Sequence, residues 1–388
     1  MSLITCGDCL HELPKLKDNS IDLLVTDPPY GYSFMGKDWD KAVPSVQIWK
    51  ECLEVLKPGA FAFIMSSPRQ DVLAQMIVRL QDAGFETNFT SLYWCYASGF
   101  PKAANVGKLV DKKLGVERKV IGIKPTKNQV NIKGGNFTVT DGNPVMENLP
   151  ITAPATPAAK RLDGSYAGYQ PKPAVEVILV AMKPLSEKTY VDQALSNQKG
   201  VTWLDDTRIP YQSNDDMNDV NGYKLGGKFE CWDKMRVEQG YRKPSTLKRY
   251  ETETQPTFEA NEKGRFPANL LVSDNILGES FSRYFSLDAW AEKTLPFMIV
   301  AKASKSEKGI DNNHPTVKPS KLMSYLVTMG SRPNDIVLDP FAGSGTTGIA
   351  ALQLGRQFIG IELSKEYCKI AENRLKPYLE QTRLTTVL

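Results

Sequence analysis

Two short stretches carry residue types that could do chemistry, and they lie near opposite ends of a 388-residue chain. In "VLDPFAGSGTTGIAA", Gly343, Gly345 and Gly348 spell GxGxxG directly after an apolar run and at the start of a helical one. Glycine permits tight turning and close approach of a ligand to the backbone, so the stretch reads as a phosphate loop, a dinucleotide site or a nucleoside site. The first reading fails, because no Lys followed by Ser or Thr closes the loop. Glu362, ending "FIGIE" about twenty residues on, could accept hydrogen bonds from ribose hydroxyls in either remaining case. Spacing does not separate the two. In "VTDPPYGY", residues 25–32, the sequence Asp27, Pro28, Pro29, Tyr30 ends an apolar run abruptly. Taken alone, that is a strand-ending turn with a buried tyrosine.

Other chemistry finds less support. Cys6, Cys9 and His11 in "CGDCLH" have the look of half a zinc site, but a structural site needs four ligands and no second such cluster follows. They are expected to be a strand end and a turn, with no metal. His314 is the only other histidine, which disfavours a histidine pair. Six cysteines in a chain of this length do not suggest a disulfide framework.

The elements that must position these residues follow from periodicity. "SLITC", "IDLLVT" and "AFAFIMS" are short apolar runs bounded by turns, as buried strands are. Between the last of these and "TNFTSLYWCY", a further strand candidate, the stretch "QDVLAQMIVRLQDAG" places Val72, Leu73, Met76, Ile77 and Leu80 at helical spacing and stops at Gly84. "AVEVILVAMK" is another strand. At the C-terminal end the pattern is helix ("SKLMSYLVTMG"), strand ("DIVLDP"), helix ("TTGIAALQLG"), strand ("FIGIEL"), helix ("KEYCKIAENRL"). Such alternation implies a parallel α/β sheet.

Composition is that of a soluble protein, 41% hydrophobic and 24% charged, without an apolar run long enough for a membrane span of ~18 residues. The N-terminus lacks a secretory pattern, so a cytoplasmic location is expected. Net charge is only +4, yet residues 101–135 hold nine Lys or Arg against two acids. Together with "KPSTLKRY", where basic residues neighbour aromatic ones, this suits phosphate contact and base stacking.

The ordered set of "GD" at residues 7 and 8, "DPPY", "NHPTVKP" and "DPFAGSGTTG" resembles the DNA amino-methyltransferases that act on adenine N6 or cytosine N4. With the DPPY block first and the glycine loop last, the order is similar to the permuted beta class. "SGFPKAANVGK", "GRFPANLLVSD" and "AKASKSEKG" are similar to a phage and bacterial subgroup, and the resemblance is weakest over 120–170 and 205–260.

The resemblance implies a doubly wound, Rossmann-like methyltransferase sheet with permuted motifs and an inserted target-recognition region. It divides the chain into a catalytic half (1–183, with the basic loop 98–172), a target-recognition region (184–296) and an S-adenosylmethionine-binding half (297–388). The aromatic amine is a poor nucleophile because its lone pair is delocalised, so the site must supply acceptors. The Asp27 carboxylate and the Pro28 carbonyl each fit that need, while Pro29 fixes the turn and Tyr30 stacks on a base flipped out of the duplex. By the same matching, Asp339, Phe341, Gly343 and Gly345 surround the methionine portion of the cofactor and Glu362 takes the ribose. Asp8 contacts the adenine end, and Thr316 and Lys318 lie near the methionine carboxylate, with His314 positional. No proline-cysteine pair occurs, which disfavours ring-carbon methylation through a covalent cysteine.

The implied partner is double-stranded DNA, with a cognate restriction enzyme as a further candidate and a monomer or homodimer as the assembly. Asp in the first motif position looks more like the adenine enzymes than the cytosine ones, which more often carry Ser there. A catalytically silent DNA-binding relative would be expected to have lost Asp27. An NAD-dependent oxidoreductase leaves DPPY unexplained, and the protein-glutamine methylases carry Asn in place of Asp27.

Overall fold

The computed structural model describes residues 3–32, 42–96, 103–124, 149–169, 174–218, 260–273, 277–295 and 317–385, with a few isolated positions between them. They form two compact units, Met1–Ala97 with Val175–Leu388, and Ser98–Ala174. Strands of the larger unit are β1 (Ile4–Cys6), β2 (Ile21–Thr26), β3 (Leu56–Ser66) and β4 (Leu92–Cys95). The smaller unit has β5 (Val120–Lys124), β6 (Asn131–Lys133), β7 (Asn136–Thr138) and β8 (Leu149–Thr152). The larger then resumes with β9 (Val175–Met182), β10 (Tyr223–Lys224), β11 (Thr257–Phe258), β12 (Leu270–Val272), β13 (Ile336–Asp339) and β14 (Gln357–Glu362).

Eight strands form the main sheet in the order β1-β14-β13-β2-β3-β9-β4-β12. All pairs are parallel except those of β9, which runs antiparallel to both β3 and β4. The sheet is therefore mixed, not the purely parallel one that strand-helix alternation implies. Periodicity reports the existence of a strand and is silent on its direction.

Every residue of β2 is buried, and its apolar side chains divide between two cores. Leu23 and Val25 join Phe61, Phe63 and Val337 beneath the helices Ser320–Gly330 and Thr346–Gln353. Leu24 joins Ala62, Ile64 and Leu338 beneath the helices Val46–Val55 and Gln70–Ala83. A strand covered on both faces reads as a continuous apolar run, which is why "IDLLVT" is so plain in the sequence. The expected helix closed by Gly84 is present, with that glycine at φ 104° in the left-handed region.

Described parts of 184–296 contribute β12 to the edge of this sheet and Leu287 and Trp290 to its core, so they cluster with the larger unit. The body that separates is Ser98–Ala174, inserted in sequence between β4 and β9. The smaller unit pairs β5 with β8 and is held by Asp111, which is fully buried. Its carboxylate accepts from Arg118 Nη1 (2.7 Å), the Ala155 and Thr156 amides (3.0 and 3.1 Å) and Thr156 Oγ1 (2.8 Å). Burial raises its pKa, and these donors outweigh burial and hold it below the usual carboxylate value.

Cys6, expected only at a strand end, is joined to Cys368 of the helix Lys365–Thr385 in a disulfide, so one crosslink ties β1 to that helix. Nothing in the spacing of two cysteines 362 positions apart could announce it. Among the described residues no three His, Cys, Asp or Glu come together as metal ligands, and no helix is long and apolar enough to cross a membrane.

Candidate active site

Register places the sequence-predicted residues together. Ile4–Cys6 pairs with Gly360–Glu362, Asp339 with Gly360, and Leu338 with Leu24. The carboxyl ends of four adjacent parallel strands therefore carry Asp8, Glu362, Asp339 and Asp27 side by side. Open α/β sheets bind ligands at this edge.

The glycine loop is built around two carboxylates. Asp339 is buried, and its Oδ1 accepts from Thr26 Oγ1 (2.6 Å) and the Phe341 amide (3.1 Å), while Oδ2 accepts from Thr347 Oγ1 (2.7 Å). Burial raises its pKa to about 6, against the pull of these donors. It thus ties the strand before Asp27 to the helix after the loop. Glu362 Oε2 accepts from the Gly343 amide (2.8 Å) and Oε1 from the Ser364 amide (2.7 Å), which fixes where the loop turns. Burial raises the pKa of this carboxyl too.

Gly343 (φ 52°) and Gly345 (φ 81°) have left-handed backbone, and a Cβ on Gly348 would meet Phe358 at 2.6 Å. The first two let the loop turn; the third lets its helix lie against β14. Phe341 packs edge-on to Trp49, with ring centroids 6.2 Å apart. Asp8 Oδ1 caps the short helix Cys9–Glu12 through the Leu10 amide (3.0 Å). Thr316 and His314 lie outside the described residues.

At the end of β2, Pro28 is buried and Pro29 half-buried, and neither has an N–H to compete for acceptors. The Tyr30 hydroxyl donates to Asp27 Oδ1 at 2.6 Å. Burial first, then the neighbouring Asp27 and Glu176 carboxylates, raise its pKa and keep it a donor. The family resemblance implies Lys318 at the methionine carboxylate. Its ammonium lies 2.8 Å from Asp27 Oδ2 and 3.0 Å from Glu176 Oε2, and 5.6 Å from the centre of the Tyr30 ring. Burial works against this charge, but the two carboxylates reverse the effect and raise its pKa. The reason for the placement is the helix that follows: a Cβ on Gly330 would sit 2.5 Å from Leu23 Cδ1, so Ser320–Gly330 lies hard against β2 and its lead-in reaches Asp27.

Three residues of this arrangement escape a reading of motifs. Thr26 and Thr347 hold Asp339, and Glu176 is the second anchor of Lys318. Glu176 stands second in β9, paired with Trp94, and Val177 beside it pairs with Ser66 at the end of β3. Because β9 is antiparallel, it brings its beginning to the edge where the parallel strands end. The lone acid in "AVEVILVAMK" is the available signal, and it means something only once strand direction is known.

The family model described as DNA methylase, of the N6/N4 methyltransferase type, matches residues 21–373. The chain belongs to the DNA methylase family. Within it, the chain is similar over 71 residues (52% identical; 18% of this chain, 26% of the relative) to the type II methyltransferase M2.LlaDCHI of Lactococcus lactis subsp. cremoris. It is 56% identical over 63 residues (16% and 21%) to the DNA adenine methyltransferase YhdJ of Escherichia coli K12. These matches span about a fifth to a quarter of the curated relatives. Among solved structures, the cytosine-N4-specific PvuII DNA methyltransferase aligns over 97% of this chain and 91% of its own at 16% identity and TM-score 0.44. M1.HpyAVI with S-adenosylmethionine aligns over 97% and 100% at 17% identity and TM-score 0.41.

Proposed function

We propose that the chain transfers a methyl group from S-adenosylmethionine to the exocyclic amino nitrogen of a base flipped out of double-stranded DNA, with adenine N6 as the target. The observation that carries this reading is the Asp339 bridge, which locks the acceptor residues after β2 to the glycine loop after β13 through Thr26 and Thr347. Membership of the DNA methylase family and the adenine specificity in the name of YhdJ support it.

The residues fit such a donor. Each Glu362 oxygen accepts one backbone amide and keeps a second lone pair, enough for ribose hydroxyls. The loop at Gly343 and Gly345 offers backbone without side chains. S-adenosylmethionine supplies an electrophilic methyl on a cationic sulfur and leaves as a neutral thioether. The protein's part is to aim the amino group. Asp27 and the Pro28 carbonyl accept its two N–H bonds, so that the nitrogen lone pair faces the methyl for in-line displacement. The proton shed by nitrogen has the Asp27 carboxylate as its nearest acceptor. Each oxygen of Asp27 already has one partner, Tyr30 or Lys318, so the entering amino group shares an oxygen with one of them.

DNA contact we assign in the first place to Ser98–Ala174, which holds twelve Lys or Arg against five acids, while the rest of the chain holds 36 against 39. Residues 184–296 keep the reading of base edges in this assignment. Charge of that kind binds phosphates by releasing counterions. Replacing Lys112 and Lys119 with Ala should lower the slope of log affinity against log salt by about 1 for each phosphate no longer neutralised. An unchanged slope removes this unit from the phosphate interface.

The target base is tested by expressing the gene in a methylation-free host and mapping modified bases by single-molecule sequencing. N6-methyladenine in one sequence context is expected. N4-methylcytosine would keep the mechanism and change the substrate; unmodified DNA would contradict the proposal.

A further inference from the structure

The cluster around Lys318 contains more acid than the lysine can balance. Asp27 and Glu176 both pair with its ammonium, at 2.8 and 3.0 Å, and among the described residues neither carboxylate has a second cationic partner. Their side chains are about one-fifth exposed and that of Lys318 about one-tenth (21%, 18% and 11%), so water screens this charge only in part. Three groups thus leave one negative charge in excess. Glu176 belongs to a different element from every motif residue and reaches the site only through the reversed direction of β9.

We propose that Glu176 is a positioning residue for methyl transfer, holding Lys318 so that Asp27 is released to the amino group and leaving one net negative charge to meet the cationic methyl donor. This rests on the function proposed above. Lys318 already divides its hydrogen bonds between two carboxylates, so shifting toward Glu176 requires no new partner. Once it has shifted, Asp27 Oδ2 can accept an N–H of the base while the Tyr30 hydroxyl keeps Oδ1 oriented. A pocket with one surplus negative charge favours a sulfonium over its neutral thioether product, which helps the product leave. With Gln in place of Glu176 the lysine would remain on Asp27 and the surplus would vanish.

The test compares wild type, Glu176→Gln and Glu176→Asp in the full chain. Calorimetric titration with S-adenosylmethionine and with S-adenosylhomocysteine separates charge from shape. Glu176→Gln is expected to weaken the cationic donor about tenfold, as loss of one partly screened charge implies, and to leave the neutral product within about twofold. Single-turnover methylation should fall about 10- to 100-fold, as mispositioning of a reacting group does, and Glu176→Asp should recover part of both. Equal weakening of both nucleosides, or no effect on either, overturns the proposal while leaving the function intact. A wild type that binds neither nucleoside overturns both. Should Glu176→Gln fail to fold, Glu176→Asp decides alone: a donor-to-product affinity ratio and a turnover both lowered from wild type support the proposal, and wild-type values of both, or loss of turnover with an unchanged ratio, overturn it.

Discussion

Strand β2 carries an aspartate near each end, and the two are used in opposite ways. Asp22, near its amino end, accepts from the Ile336 amide (2.9 Å) and from Lys57 and Lys199 (2.6 and 2.8 Å), and Lys199 also pairs with Asp335 (2.9 Å). Two carboxylates face two ammoniums, and the cluster is closed on itself. Asp27, just past the carboxyl end, shares one lysine with Glu176, so that cluster is one cation short among the described residues. The balanced cluster ties β2 to β13 and has nothing left to bind. The unbalanced one sits where strand ends meet and has a charge to offer.

The same two strands are joined at their other end by Asp339, and the contrast with Asp22 shows what the partners do. Both carboxylates are 3% exposed. Burial alone raises either pKa, yet Asp22, whose partners include two ammoniums, is held below its ordinary 3.8, whereas Asp339, whose donors are all neutral, rises to about 6. The pH dependences therefore have opposite signs. Asp22 stabilises the fold above the carboxylate value of the unfolded chain, and that contribution is lost as pH falls through its lower folded value. Asp339 favours the fold below its unfolded value, and that contribution is lost as pH rises through about 6.

Breaking the balanced cluster should cost stability and little else. Asp22→Asn leaves Lys199, whose side chain is 7% exposed, without one of its two carboxylates, and unfolding free energy should fall by about 3–5 kcal/mol in denaturant titration. The acid limb of stability below pH 3.8 should flatten in the same variant, since the proton uptake that drives it is gone. Smallest of all should be the effect on methyl transfer per folded molecule, within about twofold, because the site lies at the other strand end. A large loss of turnover at unchanged stability would erase the distinction between the two ends.

Much of this is legible in the sequence because the central strands are buried on both faces and the motifs sit at their ends. The expected β2 coincides with Ile21–Thr26, and the helices after Ser320, Thr346 and Lys365 stand where their periodicity puts them. Motif order also brings Asp27 and the glycine loop to one edge. It does not give what depends on direction or on pairings far apart in the chain: β9 reversed and Glu176 with it, Lys318 on Asp27, Asp339 turned inward to two threonines, Cys6 bonded to Cys368. A motif records which residues meet a ligand across a family, whereas these are pairings within one protein. The helix Val46–Val55 also lies outside the elements read from periodicity, although Ser45 caps it and Trp49, Cys52 and Val55 form its buried face.

The central claim is that Asp27 is the acceptor that aims an amino nitrogen at the methyl donor. It is tested most directly by single-turnover transfer from isotopically labelled S-adenosylmethionine to duplex DNA, comparing wild type with Asp27→Ala and identifying the labelled nucleoside by mass spectrometry. Wild type should yield labelled N6-methyladenine. Asp27→Ala should bind the donor nearly as well and transfer at least about 10²–10³-fold more slowly, as removal of a preorganised group at the reacting atoms does. Transfer by Asp27→Ala at the wild-type rate would contradict the account.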